Sequence, residues 1–592
     1  MFSKLANYFR FYRRMKGVTT IMDEVDNAPS VLVSDEAENT VDRDREKLAF
    51  IFEGETWTFG EFDARANRVA DWALRNNLGV GDTVALIMEN CPDYVAIWIG
   101  LSKVGVVTAL INTNLEGAGL AHCINIVGAR TIIASGEQSA NAKMILSDLD
   151  NETALWDFDN VHGADFKAAL EASSEARPDR AGRAALTGTD TCVYIYTSGT
   201  TGLPKAAKIT HDRLRRAMRM APILGEITSD DIVYNCLPLY HITAGGMGIG
   251  SVLYCGATMH VRRKFSSSSF WNDVNESGAT IFVYIGELCR YLANSPGHPK
   301  ERKHKLRAGV GNGLRSDVWA QFVERFNVPT MRELYGSTEG NVSFLNLDGM
   351  VGAVGQSPPI LDSVTGVAFV KFDVEVEAPI RNKKGFCQKC KPEEVGEVLG
   401  RIDDEGRGAF KGYNDEGATK KKILTDVFKT GDKWFRTGDL MRRDKFGYVY
   451  FVDRIGDTFR WKGENVATNE VADVMSRFAG IEMANVYGVE VPKTDGRAGM
   501  AAITVQGSVD YAALAQHLLG NLPSYAVPIF IRESKEADTT GTFKFRKVDA
   551  VKEGFDPASV ADPLWVLDAK QGVYKPLSEQ THQAIVAGEM RL

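Results

Sequence analysis

A chain of 592 residues exceeds what one hydrophobic core usually supports, so two or more domains are expected. Its 44% apolar and 25% charged content is that of an ordinary globular protein, and a net charge of −8 argues against general nucleic-acid binding, which calls for a basic excess. Eight scattered cysteines outline no disulfide framework, which points to a reducing, cytoplasmic setting.

The chain opens MFSKLANYFRFYRRMKG, with Phe2, Leu5, Phe9 and Tyr12 at roughly helical spacing and Lys4, Arg10, Arg13, Arg14 and Lys16 dispersed elsewhere. Residues 1–30 therefore read as a basic amphipathic segment suited to peripheral contact with an anionic membrane surface. The charges are not followed by a continuous apolar core, so a secretory signal is not expected. Asp82 to Met88 reads as a strand and Pro92 to Gly105 as a helix starting on proline. VVTALI, ARTIIA and CVYIY add strands at intervals suited to α/β layers. Polar and Gly-rich breaks fall at Gly136 to Ala142 and Glu171 to Gly188, the second expected to be a mobile connection. Ile242 to Val261 lacks Asp, Glu, Lys and Arg but holds five glycines, so a buried helix and strand are expected there rather than a membrane span. The serines from Ser266 to Ser269 read as a loop, and CQKC at Cys387 to Cys390 as a hairpin turn rather than a zinc site. Beyond Asp453 the pattern becomes a smaller α+β segment, with strands at Met483 to Val491 and Ala501 to Val505.

The most informative stretch is YTSGTTGLPK, from Tyr196 to Lys205, directly after the apolar run Cys192 to Ile195. Glycines let backbone approach a ligand closely, while free N–H groups, hydroxyls and a lysine suit phosphate oxygens. It is not a Walker A loop, because Lys205 follows Pro204 and precedes Ala206. YGSTEG (Tyr335 to Gly340), FRTGDL (Phe435 to Leu440) and TGTFK, ending at Lys544, follow in that order.

These four pieces resemble the signature of the adenylate-forming enzymes, the superfamily of acyl-CoA synthetases, luciferases and peptide-synthetase adenylation domains. FVDRIGDTFRWKGENVATNEV (Phe451 to Val471), KFSSSSFW, YIGELCRYL, GNGLRSDVW and KKILTDVF narrow the likeness to the fatty acid transport proteins and very-long-chain acyl-CoA synthetases. The resemblance runs from about Ala49 to Leu592. It implies a large N-terminal domain of layered sheets and helices (31–452), a hinge at 453–457 and a small mobile α+β C-terminal domain (458–592).

The implied activity is ATP-dependent ligation of a long- or very-long-chain fatty acid to coenzyme A through an acyl adenylate. Another amphipathic acid (steroid, bile-type or medium-chain), a ligase that stops at the adenylate, and a membrane-associated fatty-acid uptake protein remain as alternatives, and a homodimer is left open. By resemblance, Thr197, Ser198, Gly199, Thr200, Thr201, Gly202 and Lys205 hold the β- and γ-phosphates, and Tyr196 belongs to the same nucleotide-binding stretch. Gly311, Asn312, Gly313 and Leu314 pack the adenine and Tyr335 stacks on it, with Gly336 and Ser337 completing the turn. Thr338 meets the α-phosphate and Glu339 binds Mg²⁺, a hard cation suited to oxygen ligands. Asp439 accepts the ribose hydroxyls and Arg454 adds a cation. Lys544 bridges the carboxylate and α-phosphate, and His241 lines the acyl pocket. Trp461 and Lys462 fall on the hinge-side loop that faces the site during thiolysis.

Overall fold

Val, Ile and Ala runs buried on both faces are the pattern of strands inside a parallel sheet, and Thr83–Ile87 and Thr131–Ala134 are of this kind. The computed structural model describes residues 2–592 apart from 198–202, 337–339, 375, 404–407, 409, 411, 414–415, 463, 495, 536–546 and 591. The side chains of 2–10, 418 and 548 are likewise left undescribed. The chain divides into two compact units, Met1–Pro358 with Ile402–Ile423, and Pro359–Arg401 with Leu424–Leu592.

The first unit holds two large sheets. One has seven strands in the spatial order Ala164–Asp165, Ala154–Asp157, Thr131–Ala134, Thr83–Ile87, Val107–Leu110, Thr191–Thr197 and Lys205–Thr210. It is parallel until its last pair, where Thr197 opposes Lys205 antiparallel. The other has eight strands, with Ile232–Asn235, Ile281–Ile285, Ala308–Asn312 and Thr330–Gly336 parallel and adjacent in that order. The expected helix starts at Pro92 and runs to Lys103, buried along most of its length. It lies so close to the Phe59–Arg75 helix that a Cβ on Gly100 would fall 2.3 Å from the Ala66 carbonyl oxygen.

Three expectations are corrected. Gly136 is only the residue before a helix, Glu137–Met144. The serine run enters the Ser267–Ser277 helix, where Phe270, Trp271 and Val274 bury one face. The segment Glu171 to Gly188 is tied down by charge. Arg177 bonds Asp42 and, at 3.0 Å, Asp63; Arg180 grips Asp35 through two nitrogens; and Arg183 reaches Asp35 at 3.0 Å and Glu38 at 2.8 Å. Lys103, 1% exposed, completes the cluster against Asp63 (2.6 Å), Glu38 (3.2 Å) and the Asn67 side-chain oxygen (2.6 Å). Such charges stay buried because each meets several partners.

The Ile242 to Val261 stretch is a π-helix (Thr243–Gly248), an α-helix (Ile249–Leu253) and a strand (Thr258–Val261), with Gly245 and Gly250 packed against the Leu239 and Met218 backbone. The basic N-terminal segment is helical from Phe2 to Asp26. Its later turns bury Val18, Met22 and Val25, while Tyr12, Arg13, Arg14 and Lys16 are exposed. Asp26 and Glu24 pair with Arg216 (2.5 Å) and Arg219 (3.3 Å), and Arg14 pairs with Asp348. Among the described residues, no helix is long and apolar enough to cross a membrane.

In the second unit Val367–Asp373, Val395–Arg401, Lys433–Arg443 and Tyr448–Arg454 form an antiparallel series. A separate five-stranded sheet follows: Ile481–Glu490, Arg497–Val505, Phe530–Glu533, Leu564–Asp568 and Val573–Pro576. With the helices Thr468–Ser476 and Tyr511–Asn521 it builds a core of its own, from Phe459 to Ile585. Together the units make a mixed α/β protein. All eight cysteines, Cys387 and Cys390 included, are free thiols.

Candidate nucleotide-binding site

Parallel α/β sheets present ligands at the carboxyl ends of their strands. Ile285, Asn312 and Gly336 end three neighbouring strands of the eight-stranded sheet, and the expected adenine loop leaves from the middle one. That loop is tight. A Cβ on Gly311 would lie 2.0 Å from the Tyr284 carbonyl oxygen, and one on Gly286 would lie 1.8 Å from that of Gly313. Gly313 itself has φ +79°, a left-handed conformation that favours glycine. Asn312 accepts a 3.1 Å hydrogen bond from Thr243 Oγ1, which ties the loop to the π-helix that follows His241. His241 is half-buried, its ring 4.6 Å from that of Tyr240. Tyr335 opposes Phe344 across an antiparallel pair and its ring stacks on it at 5.6 Å.

The phosphate-loop motif closes the hairpin between Thr191–Thr197 and Lys205–Thr210. Ser198, Gly199, Thr200, Thr201 and Gly202 lie outside the described residues, as do Ser337, Thr338, Glu339 and Lys544. The Tyr196 side chain is turned into the core of the seven-stranded sheet, and its hydroxyl donates to the Cys123 carbonyl at 2.6 Å. Strand alternation sends that ring to the buried face, so only the backbone of Tyr196 is directed toward the loop. Lys205 is half-buried with its Nζ 5.8 Å from the Tyr413 ring, and Tyr413 bridges Ala207.

In the second unit, Asp439 and Arg454 are directly opposed across the Lys433–Arg443 and Tyr448–Arg454 strands. Arg454 Nε lies 3.7 Å from Asp439 Oδ1, with the arginine half exposed and the aspartate mostly covered. A short carboxylate beside a solvent-facing cation is a suitable pair for a sugar diol and a phosphate. Asp453, next in line, is fully buried and accepts hydrogen bonds from the backbone N–H groups of Arg454 and Thr468 and from the Thr458, Thr468 and Asn469 side chains. Burial pushes its carboxyl upward against those donors.

Four residues of the site have no place in the sequence reading. Glu333 accepts from the Gly313 and Leu314 backbone N–H groups at 2.9 Å each. His122 Nε2 meets the Pro204 carbonyl at 3.1 Å, just beyond the phosphate loop. Arg213 Nη2 donates to the Gly340 carbonyl at 2.6 Å, and Asn341 Nδ2 donates to the Gly408 carbonyl at 2.9 Å. The sequence offered no signal for Glu333, which shares its strand with the half-buried Arg332, Leu334 and Tyr335.

A layered α/β fold with these elements at its strand ends is that of the adenylate-forming enzymes. An anthranilate CoA ligase in complex with anthranoyl-AMP superposes with a TM-score of 0.76 at 19% identity, covering 89% of this chain and 99% of that one. A fatty acyl CoA synthetase of Mycobacterium tuberculosis superposes at 0.62 and 20% identity, covering 88% and 98%. The family model of the AMP-binding enzymes matches residues 37–413. Long-chain fatty acid transport protein 6 of Mus musculus is 41% identical over 92% of this chain and 89% of its own length. Long-chain fatty acid transport protein 2 of Rattus norvegicus is 40% identical over 100% and 94%. The chain belongs to the AMP-binding enzymes and, among them, to the family of the long-chain fatty acid transport proteins. It is an adenylate-forming ligase of the acyl-CoA synthetase type.

Proposed function

We propose that the chain activates long- or very-long-chain fatty acids, forming an acyl adenylate from ATP and passing the acyl group to coenzyme A. The observation that carries the substrate class is 41% identity, over 92% of the chain, to a long-chain fatty acid transport protein. A carboxylate does not react with a thiol because its leaving group would be oxide. Attack of a carboxylate oxygen on the α-phosphorus forms a P–O bond and breaks the bond to the β-phosphate, releasing pyrophosphate. The thiolate of coenzyme A then attacks the acyl carbon, and AMP leaves with the bridging oxygen.

Lys205 and the 197–202 loop hold the outer phosphates; Thr338 orients the α-phosphate; Gly311 to Leu314 and Tyr335 hold the adenine; Asp439 and Arg454 hold the ribose; and Lys544 sits at the forming bond. Glu339 would hold Mg²⁺, a hard cation suited to a carboxylate, which would supply neutralisation of triphosphate charge. His241 lines the start of the acyl pocket. The hinge lies at 453–457, where Gly456 has φ +93° and a core separate from the preceding sheet begins at Phe459.

Peripheral membrane contact is assigned to the N-terminal helix, whose exposed Arg13 and Lys16 suit anionic lipid. Removing residues 1–17 is expected to abolish flotation with anionic liposomes, and unchanged flotation would contradict that assignment.

The test of the function is AMP and acyl-CoA production from Mg-ATP, coenzyme A and fatty acids of about eight to twenty-four carbons. Joint formation of both products, rising for chains of about sixteen carbons or more, is the expected result. A maximum at short chains, or turnover only with polycyclic acids, would overturn the substrate assignment.

A further inference from the structure

The carboxylate of Glu333 stands between the two elements read above as the walls of the adenine slot. It belongs to the Thr330–Gly336 strand, two residues before Tyr335, and is 1% exposed. Its Oε2 accepts from the Gly313 N–H at 2.9 Å, and its Oε1 from the Leu314 N–H at 2.9 Å. The Tyr284 hydroxyl lies 2.8 Å from Oε1 and 3.0 Å from the Arg332 carbonyl, so one proton is shared between them. Adjacent strands would pair Gly311 with Glu333 in any case, but the loop beyond Asn312 has left the ladder. Nothing in strand pairing fixes Gly313 and Leu314; the carboxylate does.

We propose that Glu333 is a positioning residue for nucleotide binding: its ionised carboxylate sets the distance between the Gly311–Leu314 loop and the strand bearing Tyr335, and so the affinity and base selectivity of the slot. This rests on reading that loop as the adenine site.

Burial pushes the Glu333 carboxyl up to about 8, while the two backbone N–H groups and the tyrosine hydroxyl pull it down. Of the titratable groups facing it, Tyr284 and Cys289 are both pushed well above their ordinary ranges by burial and stay neutral there. Glu287, on the helix that carries Cys289, is paired with Arg290. Protonation of Glu333 places a hydrogen among three donors and weakens its hold on both loop amides. The nucleotide site therefore tightens as pH rises through about 8.

Pyrophosphate exchange with a sixteen-carbon acid and no coenzyme A isolates adenylation, and calorimetric ATP binding provides a readout that needs no fatty acid. The expected wild-type KM and Kd for ATP fall as pH rises through about 8. In Glu333→Gln both are flat with pH and roughly tenfold above wild type at pH ~9, the order expected for a hydrogen bond to a charged group. The KM for the fatty acid is unchanged, and the preference for ATP over GTP is reduced. Tyr284→Phe removes one donor, so its midpoint moves upward; it carries the test if Glu333→Gln does not fold.

A pH-independent wild-type KM, an unmoved midpoint in Tyr284→Phe, or a fall in kcat and Tm with KM and base preference intact would overturn the proposal. ATP binding that follows the expected pH course without exchange with any acid would leave Glu333 its role and refute the fatty-acid reading instead.

Discussion

Lys544→Ala is expected to slow acyl-adenylate formation by about three orders of magnitude, roughly 4 kcal/mol of transition-state stabilisation. Thiolysis of supplied acyl-AMP retains most of its rate. The asymmetry follows from where charge develops. In the first step a carboxylate approaches an α-phosphate, and two anionic centres need a cation between them. In the second, a thiolate attacks a neutral ester carbon and AMP leaves from a site already holding its phosphate. Lys547, three residues on, is otherwise engaged, with its Nζ 2.9 Å from Thr468 Oγ1 and 3.1 Å from Asp457, beside the proposed hinge. Stopped-flow measurement of each half-reaction separates the two steps, and equal loss of both would contradict the assignment of Lys544 to adenylation.

Lys103→Ala is expected to be the most damaging structural substitution, lowering stability by about 3–5 kcal/mol. The ammonium is 1% exposed and sits within 3.2 Å of Asp63, Glu38 and the Asn67 side-chain oxygen, while its own carbonyl accepts from Arg183 at 2.7 Å. Removing it leaves Asp63 and Glu38 closer to uncompensated, at a desolvation cost greater than a surface pair ever carries. Lys103→Met, which keeps the stem, recovers packing but not charge and remains well below wild type. Urea denaturation checks this, and a change under ~1 kcal/mol would show that Arg177 and Arg183 neutralise the cluster unaided.

What the sequence made legible was local. Strands rich in Val, Ile and Ala at 83–87 and 131–134, and the proline-led helix at 92–103, were read close to their observed ends, because burial on both faces leaves little room for polar residues. Contacts across long sequence separations were not legible. Glu171 to Gly188 reads as a loose connection because its arginines look solvated; their partners, Asp35, Glu38, Asp42 and Asp63, lie more than a hundred residues earlier. Tyr196 illustrates the same limit within a motif, where strand alternation turns its side chain away from the loop. Asp439 and Arg454 were chosen separately, and the structure places them face to face in one sheet. Glu333 was passed over because a glutamate before LYGSTEG has no sequence partner; its partners are backbone amides supplied by the neighbouring strand.

The most direct measurement is a single turnover with palmitate labelled at both carboxylate oxygens with ¹⁸O, Mg-ATP and coenzyme A, followed by mass spectrometry of the products. One labelled oxygen in AMP, none in pyrophosphate and one retained in the thioester carbonyl are expected, since the attacking oxygen stays on the α-phosphorus when sulfur takes the acyl group. Unlabelled AMP, or label in inorganic phosphate, would contradict an acyl-adenylate route.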